Sequence, residues 1–107
     1  MEKTFETLWQ ELQNRLRPGL IIPNWTYLKG YLGDTMRIEE VEDVEIVVQA
    51  PKAKTLQHVS KANFEIIWNI WPEYKTGRLP RQEMMDMTRY SKYIISILHW
   101  LDTHALS

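Results

Sequence analysis

His58, His99 and His104 are the side chains best suited to proton transfer or metal ligation near neutral pH. Their spacing supports neither role: there is no His-x-x-x-His, no Glu-x-x-His and no cysteine to complete a ligand set. The carboxylates Glu39, Glu40, Glu42, Asp43 and Glu45 gather as a general acid/base pair or a divalent-cation site would require. On a strand, however, Glu39 and Glu40 face opposite sides, and Asp is favoured at a turn for local hydrogen bonding. They read as a solvated hairpin tip that also guards a sheet edge against foreign pairing. Gly30-x-x-Gly33 lacks the GxxxxGK[ST] or GxGxxG context of a phosphate cradle and reads as turn glycines. Ser60, Ser91, Ser96 and Ser107 include no Gly-x-Ser-x-Gly elbow and no argued Ser/His/Asp set. The expectation is a protein without catalytic activity, cofactor or metal.

Binding is the remaining class of chemistry. Lys75, Arg78, Arg81, Arg89 and Lys92 are interleaved with Tyr74, Tyr90 and Tyr93, and Lys52, Lys54 and Lys61 precede them. Phosphate contacts from the basic 75–92 segment with stacking on Tyr90 would suit single-stranded nucleic acid. Against that, thirteen basic and fourteen acidic side chains leave a net charge of −1. The distribution is polar: residues 1–49 have five bases and nine acids, residues 50–92 eight bases and four acids. Such a chain can pair its own halves, dock head to tail with a copy, or offer a basic face to an acidic partner. Trp9, Trp25, Trp68, Trp71 and Trp100 could wall a small-molecule pocket, but tryptophans on apolar helical stripes are more often core or interface.

These residues need elements to position them. A chain of 107 residues supports one domain, and its size allows a core without disulfides. Lack of Cys points to the cytoplasm, and the charged N-terminus resembles neither a signal peptide nor a membrane anchor. Phe5, Leu8, Trp9, Leu12 and Leu16 form one helical stripe, with Thr4 as N-cap and Arg17-Pro18-Gly19 as stop. Leu20 to Pro23 reads as an apolar connector, with the sheet starting after Pro23 because proline lacks a ladder donor. From Trp25 to His58, β-branched and aromatic residues between turn signals predict a three-stranded antiparallel meander. A three-residue loop, Glu42-Asp43-Val44, would set Met36 and Ile38 on one face with Ile46 and Val48, whereas a two-residue loop would set Ile46 opposite Glu39. The third strand of the meander falls near Thr55–Val59.

Ser60 caps a second helix with Phe64, Ile67, Trp68 and Trp71 on one stripe and Ile66 and Ile70 on another, and Pro72 should kink or end it near Trp71. A short helix is expected from Pro80 to Met87, and a last one from Tyr90 to Thr103 with broad apolar faces. The fold class is α+β: an N-terminal helix, a meander, and two to three C-terminal helices on one sheet face. Helices this apolar ask for cover from a second protomer, which makes Trp68, Trp71, Tyr93, Ile97 and Trp100 the interface candidates.

Thr26-x-x-x-Gly30, Ile38-x-x-Val41, Asp43-x-x-Ile46-Val47-Val48, Val59-Ser60-x-x-Asn63-Phe64-Glu65, Trp71-x-x-Tyr74-x-x-Gly77 and Tyr93-Ile94-Ile95-Ser96-Ile97-Leu98 cover most of the chain from residue 26 onward. In these stretches it resembles small proteins encoded by mobile integron gene cassettes. The resemblance implies a cytoplasmic bacterial product, often oligomeric and mostly without assigned activity, and it transfers no functional residue. The reading is therefore a homo-oligomeric binding or assembly module, with no membrane partner. The alternatives are a nucleic-acid-associated protein and a small-molecule binder with a Trp-lined pocket.

Overall fold

The structure, a computed structural model, describes residues 4–50, 55–79 and 87–104. Helix α1 spans Phe5–Arg15. The Thr4 hydroxyl accepts from the Thr7 N–H at 3.2 Å, an N-cap worth about 1 kcal/mol. Its stripe of Leu8, Trp9 and Leu12 is buried, and Leu16 continues it beyond the helix.

The chain then enters a four-stranded antiparallel sheet of order β1-β2-β3-β4: β1 Ile21–Thr26, β2 Gly30–Val41, β3 Glu45–Gln49 and β4 Gln57–Ser60. Among the described residues the sheet thus has four strands rather than three, and residues 21–23 of the expected connector belong to the first of them. Its pairing begins at Leu20, whose carbonyl accepts from the Ile38 N–H at 2.8 Å. Pro23 stands opposite Thr35. In an antiparallel ladder bonded positions alternate, so with Leu20 bonded to β2 the ring nitrogen of Pro23 turns outward along the sheet edge, where no donor is needed. Between Pro23 and Trp25 the register shifts, so that Asn24 alone faces the three residues Leu32, Gly33 and Asp34. Gly33 makes this possible with φ of +95°, and the Asn24 amide donates to Asp34 Oδ1 at 2.9 Å across the irregularity.

The β2–β3 hairpin reaches the expected facing by a different route. Ile38 stands opposite Val48, and Met36, Ile38, Ile46 and Val48 are all buried. The extra residue is not in the loop: Val41 faces Ile46 and the Glu42 N–H donates to the Glu45 carbonyl, so the tip is two residues, Asp43-Val44. A bulge at Glu39, between the Ile38 and Glu40 pairs, restores the apolar face. Helix α1 fastens this tip, with Trp9 Nε1 donating to the Asp43 carbonyl at 2.9 Å and Gln13 Nε2 to the Glu42 carbonyl at 3.0 Å.

Ser60 accepts from the Asn63 N–H at 3.2 Å and caps α2, Lys61–Lys75. The helix does not end near Trp71. It continues through Pro72 to Lys75 because Trp71 and Tyr74 are both buried, and each such burial yields about 2 to 3 kcal/mol against the roughly 3 kcal/mol cost of an interior proline. Gly77, at φ of +80°, closes it, with Gly77 N–H bonding the Tyr74 carbonyl and Arg78 N–H the Glu73 carbonyl. The helix expected over 80–87 lies outside the described residues apart from Met87. Helix α3, Ser91–His104, matches expectation and is buried almost continuously from Tyr93 to Leu98. One apolar core joins the three helices of the described residues to a single sheet face. Among the described residues no helix is long and apolar enough to cross a membrane.

Candidate functional site

Helix α3 lies along β1, and their contact builds the most distinctive part of the surface. At this sheet edge the Trp25 N–H would point to solvent, but it donates to Ser96 Oγ on α3 at 3.0 Å. Two residues later the Tyr27 N–H donates to the Tyr74 hydroxyl on α2 at 3.1 Å. The Trp25 ring lies flat on His99, with centroids 3.8 Å apart, and presents its edge to Trp71 and Tyr74. The Tyr31 hydroxyl hydrogen-bonds with His99 Nε2 at 3.2 Å. Burial pushes the His99 imidazole below its ordinary value of 6.5, so the stacked ring is neutral at pH 7.

Beyond this aromatic knot the β1–β2 ribbon ends in open water. Tyr27, Leu28, Tyr31 and Leu32 are 44, 86, 59 and 44% exposed. Gly30 closes the loop Tyr27-Leu28-Lys29, and Gly33 occupies the irregular pairing beside it. Beside the ribbon a cleft of about 230 Å³ opens between β1, β2 and α3, walled by Trp25, Leu32 and Tyr93 with Asn24, Asp34 and Lys92 among its polar groups.

The interface candidates divide. Trp71, Tyr93 and Ile97 lie at 1, 8 and 0% exposure, covered by the sheet and the neighbouring helices of their own chain, while Trp68 and Trp100 are half-buried at the core margin. The sequence underestimated the cover available because the sheet is one strand wider than expected and that strand, β1, packs against α3.

The basic set does not converge. Lys75 meets Asp102 at 3.4 Å near the end of α3, and the same carboxylate accepts from Trp71 Nε1 at 3.0 Å. Lys92 lies in the first turn of α3, about 15 Å further along its axis. Arg89 and Lys92 each sit 5.1 Å over a tyrosine ring, Tyr90 and Tyr93 respectively. Arg78 is exposed beyond the end of α2, and Arg81 lies outside the described residues.

The acidic residues gather around a partner that sequence reasoning missed. His58 stands opposite Val47 on the outer sheet face and its Nδ1 lies 2.6 Å from Glu45 Oε2. That hydrogen bond raises His58 above 6.5 and lowers Glu45 below 4.5, while Glu42 is raised, chiefly by its hydrogen bond with Glu45. The strand register of β3 and β4 is what unites them, and no local spacing signals it. Glu39 pairs instead with Arg37 on its own strand. Among the described residues no group of three potential ligands is placed to hold a metal ion. No family model, curated protein or solved structure matches the chain.

Proposed function

We propose that the chain is a binding and assembly module without catalytic activity, working as a homo-oligomer in which a second copy covers the apolar end of the β1–β2 ribbon. The observation that supports this is the run Tyr27, Leu28, Tyr31 and Leu32, four large apolar side chains within six residues and all exposed. Single exposed apolar residues are ordinary, but a cluster at the end of a ribbon marks an interaction surface. Strand addition is disfavoured, since Pro23 and the Ser96 bond blunt the β1 edge and β4 is only four residues long. Packing of side chains from two ribbons about a two-fold axis suits a patch of this kind. Trp68 and Trp100 extend the candidate surface, with Trp71, Tyr93 and Ile97 as the layer beneath. The resemblance to cassette-encoded proteins, often oligomeric and cytoplasmic, agrees with this reading.

Light scattering across a range of salt tests it. The expected result is a dimer or larger species that persists at high salt, because apolar burial is not screened. Leu28→Glu combined with Tyr31→Glu should give a monomer with an unchanged circular-dichroism spectrum. A monomeric wild type at micromolar concentration, or an assembly dissolved by salt and indifferent to the double variant, would overturn the proposal.

A further inference from the structure

The cleft between the ribbon and α3 has two chemically different walls. Trp25, Leu32 and Tyr93 supply an apolar side, while Asp34 from β2 and Lys92 from α3 bring opposite charges to the same space of about 230 Å³. The two charges do not pair. Asp34 Oδ1 accepts from Asn24 Nδ2 at 2.9 Å, and the Lys92 ammonium rests 5.1 Å over the Tyr93 ring. Among the described residues neither side chain has an ion-pair partner. Among the lining residues, the Trp25 N–H and the Ser96 hydroxyl are already bonded to each other. The two charged side chains and the apolar wall are what the cleft offers a ligand.

We infer that this cleft is a binding site for a small zwitterion with a short apolar side chain, an α-amino acid of about the size of valine. At about 230 Å³ the cleft is smaller than the roughly 300–1,000 Å³ of pockets that take drug-sized ligands, which suits a small molecule. The ligand's carboxylate meets Lys92, its ammonium meets Asp34 with the free amide oxygen of Asn24, and its alkyl group lies against Trp25 and Leu32. A molecule bearing both charges bridges two groups that the fold holds apart, whereas one bearing a single charge leaves the other wall unsatisfied. Both charged side chains are exposed, so affinity near the millimolar range is expected. The inference goes beyond the assembly reading and does not depend on it.

The test is a titration of the full-length protein with L-valine up to about 10 mM, followed by backbone amide shifts in NMR, with solution mass recorded in parallel. The expected result is saturable shifts centred on Asn24, Asp34, Lys92 and Ser96. Isovalerate, which lacks the amine, and isobutylamine, which lacks the carboxylate, should each bind at least tenfold more weakly. Lys92→Met and Asp34→Asn should each weaken valine at least tenfold without altering the thermal midpoint. No localised shifts with valine, equal shifts with isovalerate, or undiminished binding by both variants would overturn the inference whatever the oligomeric state.

Discussion

His58 and Glu45 are diagonal neighbours across β3 and β4, both reached by solvent, so their coupling expresses itself through pH rather than through a large share of stability. The folded His58 keeps its proton longer than the unfolded one. Its contribution is thus complete below 6.5 and disappears as pH rises through the raised folded value. Glu45 behaves in the opposite sense: its contribution is complete above 4.5 and fades as pH falls through the lowered folded value. Glu42, raised chiefly by its hydrogen bond with Glu45, contributes fully below 4.5 and loses that contribution as pH rises through its raised folded value, while its charge, once formed, helps His58 keep its proton. The pair therefore supports the fold most fully between 4.5 and 6.5. His99 has the reverse sign, because burial favours its neutral form, and acidification below 6.5 weakens the fold there. An NMR titration should find His58 and His99 on opposite sides of 6.5, and Glu45→Gln should bring His58 back toward 6.5 while leaving His99 in place. Two histidines titrating together would contradict the geometry.

At the scale of elements, the β1 edge and the end of α2 make separable predictions. Ser96→Ala removes the acceptor of the Trp25 N–H, leaving a half-buried donor at a strand edge and costing about 1 to 3 kcal/mol in chemical denaturation. Gly77→Ala forces an L residue to φ of +80° and sets its Cβ 2.7 Å from the Tyr27 ring, whereas Gly33→Ala meets strain at φ of +95° but no atom within 4 Å. Both should destabilise by about 1 kcal/mol or more, and Gly77→Ala should cost the more because the Tyr27 ring must also move. Equal losses would mean that the ring is displaced freely. These elements also mark the limit of what a sequence can disclose. Alternation at Met36, Ile38, Ile46 and Val48 revealed which face was buried, since facing is a property of the pattern. It could not place the extra residue, because a bulge at Glu39 and a longer loop bury the same side chains. Pro23 misled for a related reason: whether a strand tolerates proline depends on which way its nitrogen points, and that is set by a partner strand. Pro72 does not end the helix, because its local cost is outweighed by Trp71 and Tyr74, whose burial is tertiary. Of the candidate site, the aromatic residues were visible as types, but nothing near Ser96 in sequence announces Trp25 as its partner.

Taken whole, the molecule has a radius of gyration of 12.9 Å, matching the roughly 13 Å expected of a compact chain of this length. Small-angle scattering should return close to that value from the Leu28→Glu/Tyr31→Glu variant and about 17 Å from a compact wild-type dimer. A wild type near the smaller value would leave the ribbon end uncovered. Every strand of the sheet pairs with its neighbour in sequence, so the meander can assemble through short connections. The closure of α3 onto β1 is different, since Trp25 and Ser96 are 71 residues apart. Loop-closure entropy makes that contact slow to gain, and the meander has no need to wait for it. The order of events in folding follows: hairpins first, the seam between the first strand and the last helix at the end. Ser96→Ala should accordingly leave the refolding rate nearly untouched and accelerate unfolding, a φ-value near zero, while a truncation at Ile38 slows refolding. The seam that seals the sheet's open edge is also where the native state first comes apart.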